Sequence, residues 1–461
     1  MKNKILLSIL ALLLLVAMAV SLTACIYWKD NKTTSNNNDV PNPDGSIREP
    51  IDYTDTFLLV DWIFKKMSIF DVDYETAMLA AIRAYVEATG DKYAMFYTPE
   101  ELDALFSENN GDLYGIGVQV IFNYEEYCME VVLIMPDSPA QGQLQVGDKV
   151  THITVDGEKI ALSDVVATNK EKIKKLYPNF TDEEVNIAAG NETMDYAVAH
   201  LKGPEGTKAN FTVMRDGVST DYSITRAKVK TVSVTCKKSI RDSSVGIISI
   251  SQFDMTTPVQ FKECMDQLIL EGCNKFVFDV RNNPGGDLAS LVAVVSTMLN
   301  KGDVILSTKD TSGKTQVTKA DIVTYSQSSG YATCNVTKND LGKYRGYEFV
   351  VLANENSASA AELFTSVLRD HELATIVGTK TYGKGSVQSI YDLSVQGEGY
   401  YGGLKLTTKL YFPPSGVGYN GIGIEPHYNV ELEGIAAETH FYKLTEDIDN
   451  QLQKAVSLLI D

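Results

Sequence analysis

Apolar and polar positions follow three different rhythms along this chain. Between residues 54 and 107 the segments TDTFLLVDWIFKKMSIF and DYETAMLAAIRAYVEAT carry apolar residues at roughly helical spacing. Thr98-Pro99-Glu100-Glu101 reads as a fresh helix start, with Thr98 as N-cap, proline at the first helical position and Glu101 closing a capping box. From Tyr114 the rhythm shortens to two, as GIGVQVIF and YCMEVVLIMP alternate in the manner of strands. A further strand ends at Val155-Asp156-Gly157, and LKGPEG leads into the strand NFTVMRDG. From about Val229 to Leu432 strands and helices take turns. VGIISIS, KFVFDVR, YEFVVLA and ATIVGT read as strands, and PVQFKECMDQLILEG, DLASLVAVVSTMLN and SAAELFTSVLRD as the helices between them. That alternation predicts an α/β core with largely parallel strands. Residues 307–345 interrupt it with a polar stretch expected to be a surface excursion, and LTEDIDNQLQKAVSLLI predicts a closing helix. A chain of 461 residues has room for two or three such domains, so the fold class expected is multidomain α/β.

The N-terminus stands apart. Lys2 and Lys4 precede an apolar run from Ile5 to Val20, followed by Leu22-Thr23-Ala24-Cys25. This is the layout of a secretory signal, and its end resembles the bacterial lipobox. That resemblance implies removal of residues 1–24 and lipidation of Cys25, which anchors the protein to a membrane outside the cytoplasm. The alternative, an uncleaved anchor, suffers from an apolar run that is short for a span. Residues 25–52, polar and turn-rich, read as a flexible tether.

The formal charge of −19 and the lack of a basic stripe argue against nucleic acid as a partner. Besides Cys25 there are Cys128, Cys236, Cys264, Cys273 and Cys334, with no C-x-x-C. An odd number at these spacings supports neither a disulfide framework nor a zinc site. Buried free thiols are expected, with a Cys264–Cys273 pair as the alternative, and no metal or cofactor is called for.

The β-rich region, residues 111–228, is similar to a PDZ domain in the order of its motifs. By that resemblance Gly115-Ile116-Gly117-Val118 forms a loop whose N–H groups capture a chain-terminal carboxylate while the peptide adds as a strand. Pro139-Ala140 would open the helix flanking the peptide groove. Residues 158–200 are longer and more charged than in that family and read as an insert.

The chemistry is concentrated further on. Ser359 sits where the strand YEFVVLA gives way to the helix AAELFTSVLRD, so it faces the end of the sheet, where sites in α/β folds collect. A serine hydroxyl needs a base to take its proton, and a lysine held neutral by burial can serve. Lys384, in TKTYGKGSVQ, is the candidate, with Gln388 four residues on to accept a hydrogen bond from the amine and orient it. The N–H of Ala360 at the helix start could stabilise an oxyanion, and the turn Asp279–Gly286 offers a second donor from Gly285 or Gly286. Taken singly, Ser359 is equally an N-cap, Lys384 a surface lysine and the glycine turn a structural one. Gly378–Lys384 also fits the first seven positions of a phosphate-binding loop, but Gly385 stands where Ser or Thr is needed, and strand-like VQSIYDLSV comes next in place of a helix. His152, His200, His371, His427 and His440 form no H-E-x-x-H, and no G-x-S-x-G elbow is present.

Taken together the motifs resemble the carboxy-terminal processing, or tail-specific, family of envelope serine peptidases. GDKYAMFYTPEEL, YGIGVQV, SPA with VGD and VDG, LKGPEGT, SQF, FDVRNNPGGDL, ENSASAAELF, VGTKTYGKGSVQS, GGLKLTTKLYFPPSG and GIGIEP carry the likeness in order from about Asp55 to Asp461. The resemblance implies a core like that of ClpP and crotonase at 229–433, a PDZ domain at 111–228, an N-terminal helical region at 53–110 and a C-terminal helix at 434–461. It further implies Ser359 as nucleophile, Lys384 as general base, Gln388 as its orienting partner, and Ala360 with Gly285 or Gly286 as oxyanion hole. Polypeptides with apolar C-termini are the implied substrates, and self-association is left open. The family's usual S-A-S-A-S-E differs here in having Ala361 for the third serine. A catalytically dead peptide-binding lipoprotein is the rival reading, which the intact Ser359, Lys384 and Gln388 disfavour.

Overall fold

This computed structural model describes residues 53–109, 112–326, 333–393 and 401–460. The expected signal, Cys25 and the whole of the tether lie outside the described residues. The chain divides into two units after Leu79. In the first, helix Thr54–Met67 buries none of its residues, and Phe57, Leu58, Trp62 and Phe64 are exposed. Among the described residues no helix is long and apolar enough to cross a membrane.

The second unit holds a six-stranded sheet ordered 234–238, 245–250, 275–279, 348–353, 374–378 and 428–429, parallel except at its first strand. Its strands are apolar on both faces, as a sheet covered on both sides must be. Phe276, Phe278, Phe349 and Val351 join one core, under helices Thr257–Leu270, Leu288–Ser296 and Ala360–Asp370. Val277, Val350 and Leu352, one residue out of step, join another under the C-terminal helix Asn450–Ile460. Successive side chains of a strand point to opposite faces, so the two cores interleave along one sequence.

The C-terminal helix is fastened by charge. The Arg281 guanidinium, 3% exposed, reaches Asp279 and Asp449 at 2.7 Å each and Gln451 at 2.8 Å. Although burial opposes its charge, the two carboxylates hold that charge firmly in place.

Residues 112–230 form a separate sheet module with its own core, its main strands ordered 118–123, 128–134, 149–155, 208–215 and 218–225. Two helices, Leu162–Leu176 and Asp182–Leu201, occupy the stretch read as an insert. The second begins at a capping box of Thr181 and Glu184 and packs beside the edge strand Val118–Asn123, where Tyr124 Oη donates to Asn191 Oδ1 at 2.7 Å.

Three expectations need correction. Pro139-Ala140 opens no helix: the segment makes a run of turns, broken by Gly142 at φ +76°. The polar stretch 307–345 is more than an excursion. Strands Val304–Asp310 and Thr315–Lys319 pair with each other, and the first pairs with Gly403–Phe412 in a second sheet that also takes Met95–Tyr97 and Ser386–Asp392. Cys236 and Cys264 are joined by a disulfide, in place of free thiols or a Cys264–Cys273 pair, because their Cα atoms lie 5.7 Å apart. Cys128 and Cys273 are buried free thiols.

Candidate active site

Three adjacent parallel strands, Lys275–Asp279, Glu348–Ala353 and Ala374–Gly378, end side by side. Each runs into a turn carrying one part of the predicted chemistry, so the sheet brings together Gly285–Gly286, Ser359 and Lys384 from across a hundred residues.

Ser359 caps helix Ala360–Asp370 with a left-handed backbone, φ +56°. The turn before it is stapled to the glycine turn: Ser357 Oγ donates to the Val280 carbonyl at 2.7 Å, the Ala358 N–H to the Asn283 carbonyl at 2.9 Å, and the Asn354 amide to Asn282 Oδ1 at 2.9 Å. The contact is close enough to demand glycine. A Cβ on Gly285, at φ +102°, would fall 2.7 Å from Ser359 Cβ and 2.8 Å from the Ala360 nitrogen, and one on Gly286 would fall 2.0 Å from the Phe253 carbonyl oxygen. The Gly285 N–H is already taken by Asn283 Oδ1 at 2.8 Å, which removes it as an oxyanion donor. Among the described residues the Gly286 and Ala360 N–H groups donate to no acceptor, and both residues border the same cavity.

That cavity, about 630 Å³, is lined by Ser359, Lys384, Gln388, Lys405 and Tyr411, with apolar walls including Leu105, Phe106 and Leu363. Lys384 is half-buried. Burial and then the nearby Lys405 charge hold its ammonium below the usual 10.5, with Glu362 pulling the other way. No hydrogen bond joins its Nζ to Ser359 or to Gln388. The Nζ lies over the Tyr93 ring, 4.5 Å from the centroid, while the Gln388 amide donates to Ser386 Oγ at 3.0 Å and Thr407 Oγ1 at 3.2 Å. The expected amine-to-Gln388 bond is thus not made, because Gln388 is pinned to the neighbouring strand. Tyr411 links the two reactive segments. Its hydroxyl donates to the Lys384 carbonyl, and its side chain lines the cavity together with Ser359. Asp287 also borders the cavity, its carboxyl pushed up by burial.

Sequence reasoning passed over Glu362. Fully buried, it accepts from the Ser359 N–H at 2.9 Å and the Lys384 N–H at 2.7 Å on one oxygen, and from Thr381 Oγ1 and the Gly383 N–H at 2.6 Å on the other. Its position three residues after Ser359 is a capping-box signal, visible in the sequence. The reach to Lys384 is not. The same bonds dispose of the phosphate-loop reading, since the N–H groups of Gly383 and Lys384 are filled by this carboxylate and a strand, Ser386–Asp392, comes next. His371 is likewise engaged elsewhere, its Nε2 lying 2.7 Å from the Val304 carbonyl.

Away from this cavity, the Gly115–Val118 segment borders the edge strand Val118–Asn123. The Ile116 and Gly117 carbonyls accept from Ala140 and Met135, and among the described residues their own N–H groups have no acceptor. Gly117, at φ +78°, lies so close to Ser138 that a Cβ would come within 2.2 Å of the serine Cβ.

Residues 244–430 match the sequence profile of peptidase family S41. Over that span the chain is similar to peptidase family S41. It is 29% identical over 348 residues to a carboxy-terminal-processing protease of Bartonella bacilliformis, an alignment covering 74% of this chain and 67% of that protein. It is 27% identical, over 75% of its length and 58% of the relative, to a CtpA-like serine protease of Staphylococcus haemolyticus. The chain therefore spans about two thirds or less of the length of these curated relatives. Among solved structures it is similar to a photosystem II D1 C-terminal processing protease, at 22% identity and TM-score 0.43, covering 82% of this chain and 87% of that one. The S41 span contains the glycine turn, Ser359, Lys384, Gln388, Lys405 and Tyr411, but not Tyr93 or the 112–230 module.

Proposed function

We propose that this chain is a serine endopeptidase of the carboxy-terminal processing type, working by a Ser359–Lys384 dyad outside the cytoplasm on a membrane tether at Cys25. The observation that carries the reading is the single cavity that a half-buried lysine shares with a serine and with two N–H groups, those of Ala360 and Gly286, unused among the described residues. Lys384, as the free amine, moves off the Tyr93 ring and takes the Ser359 proton as Oγ attacks the peptide carbonyl. The Ala360 and Gly286 N–H groups receive the developing oxyanion, an interaction worth roughly 3 kcal/mol per donor in the transition state. The amine then passes its proton to the leaving nitrogen, and the acyl group on Ser359 is released by a water that gives its proton to the same amine. Gln388 remains the orienting group of the engaged state, its carbonyl turned to the amine once substrate fills the cavity.

In this reading the 112–230 module is a PDZ-like domain, and the core is of the ClpP and crotonase kind. A substrate tail adds to the edge strand Val118–Asn123, with its carboxylate on the free N–H groups of Ile116 and Gly117. Polypeptides with apolar C-termini are the substrate class of this reading, and the apolar walls of the cavity suit an apolar stretch of chain near the scissile bond. The test is turnover of an unfolded protein with such a terminus. Ser359→Ala and Lys384→Ala should each abolish cleavage, and amidating the substrate terminus should slow it. Wild-type turnover in both alanine variants would end the dyad assignment.

A further inference from the structure

The active-site cavity holds a second lysine that the dyad does not use. Lys405 lies on strand Gly403–Phe412, opposite Ile390 in the register with Ser386–Asp392, and lines the cavity together with Lys384. Its Nζ donates to Tyr97 Oη at 2.7 Å, and Tyr97 is itself buried. A phenol is a neutral partner. Among the described residues no carboxylate stands within 4.0 Å of either Lys405 or Lys384, although sixteen other pairs in this acidic chain are made. Two lysine heads in one partly water-poor cavity, neither paired, is an arrangement that costs stability and calls for a use.

The other charged or titratable groups facing Lys384 are few. Helix Ala360–Asp370 offers Glu362, whose carboxylate is spent on main-chain and hydroxyl donors. The turn before strand Met95–Tyr97 offers Tyr93 beneath the amine and the exposed Lys92 beyond it. Strand Gly403–Phe412 offers Tyr411, and Asp287 borders the cavity as the N-cap of helix Leu288–Ser296, its carboxylate bonded to the Ser290 N–H at 2.8 Å. Asp91, at this wall, is engaged with Thr407 at 2.7 and 3.0 Å, and Asp392 ends the strand paired with Gly403–Phe412.

We propose that Lys405 is a positioning residue for catalysis: its charge, fixed by Tyr97 in the shared cavity, repels a second proton from Lys384 and so keeps the base in its reactive, neutral form. The idea rests on Lys384 being the general base. It also agrees with Lys405 standing next after burial among the causes that lower the Lys384 ammonium.

The experiment is the pH profile of kcat/KM from pH 5 to 10 for the intact chain on an unfolded protein substrate, with melting temperatures recorded alongside. Lys405→Met should move the rising limb up by about one pH unit, lowering the rate about tenfold at pH 7 and returning it to the wild-type plateau above the limb. Lys405→Arg, which keeps the charge, should keep the wild-type limb. Lys405→Gln carries the test if the methionine variant does not fold. An unmoved limb, or a loss of the same factor at every pH, overturns the proposal. A Lys384→Ala control separates the two ideas: turnover surviving in it refutes the dyad, whereas its loss together with an unmoved Lys405→Met limb refutes only the role given to Lys405.

Discussion

Glu362 ties Ser359 to Lys384 through their backbone N–H groups, so under the proposed dyad replacing it should cost activity beyond what it costs stability. In Glu362→Gln the side chain keeps its shape, but only one of its two ends can accept. The other becomes an NH2 group facing two donors, either the Ser359 and Lys384 N–H groups or Thr381 Oγ1 and the Gly383 N–H. The residue is 0% exposed, so water cannot repair the mismatch. A hydrogen bond to a charged group contributes about 1.5–3 kcal/mol, and two are lost, giving a destabilisation of about 3–6 kcal/mol. At 2–4 °C per kcal/mol this lowers the melting temperature by roughly 10 °C. The catalytic effect is separate, because the lost bonds hold the backbone on either side of the proton transfer. A displacement of order 1 Å there is worth about a hundredfold in kcat. The assay is kcat and KM well below the melting transition, with thermal unfolding run in parallel. A variant that melts lower yet turns over at the wild-type rate would show that Glu362 serves the fold alone. One that melts and turns over normally would refute the reasoning altogether.

Gly285→Ala should be inactive or nearly so, since its Cβ would meet the Ser359 Cβ at 2.7 Å and the left-handed backbone at φ +102° is itself unfavourable; retention of more than a tenth of kcat would contradict the close contact. Arg281→Met should destabilise the chain by about 3–5 kcal/mol in urea unfolding, because Asp279 and Asp449 are left buried and unpaired; a loss under 1 kcal/mol would mean the network relaxes. The pH dependence has a definite sign. The reactive form of Lys384 is unprotonated, and burial and Lys405 lower its affinity for a proton, so kcat/KM should rise with pH along a limb lying below 10.5. The folded chain releases that proton before the unfolded chain does, so this group's contribution to stability grows as pH climbs from the lowered value towards 10.5. An activity limb at or above 10.5 would contradict a base held neutral by its surroundings.

The parts of this molecule readable in its sequence are those fixed by short-range periodicity. The strands around Val277 and Val350 and the helix after Ser359 are announced by apolar runs and turn residues within ten positions of themselves. The Thr98 N-cap, with its bond from the Thr98 N–H to Glu101 at 2.9 Å, is as local as a structure can be. Ser359 and Lys384 stand out because strand-to-helix and strand-to-loop junctions of a parallel sheet collect at one edge.

What stayed hidden was set by pairing at a distance. Strand Val304–Asp310 looks like loop because it lies on a partly exposed sheet, and its place depends on pairing with Gly403–Phe412 about a hundred residues later. That pairing matters to the chemistry. Gly403–Phe412 carries Lys405, Thr407 and Tyr411 at alternate positions, hence on one face. From that face Thr407 holds Gln388 and Asp91, Tyr411 holds the Lys384 carbonyl, and Lys405 enters the cavity. Sequence motifs thus pointed to Ser359 and Lys384, which the fold brings to one cavity, while the wall that carries Lys405 and Tyr411 comes from a strand whose alternation, LKLTTKLYF, carries no sign of chemistry on its own. The misassigned Gln388 contact has its origin in the same strand. Thr407 sits opposite Gln388 in register and takes its amide, so Gln388 can reach the amine only with its carbonyl, and only after Lys384 leaves Tyr93. Lys384 Nζ thus lies over Tyr93 in the cavity it shares with Ser359, and the proposed dyad requires it to leave that ring.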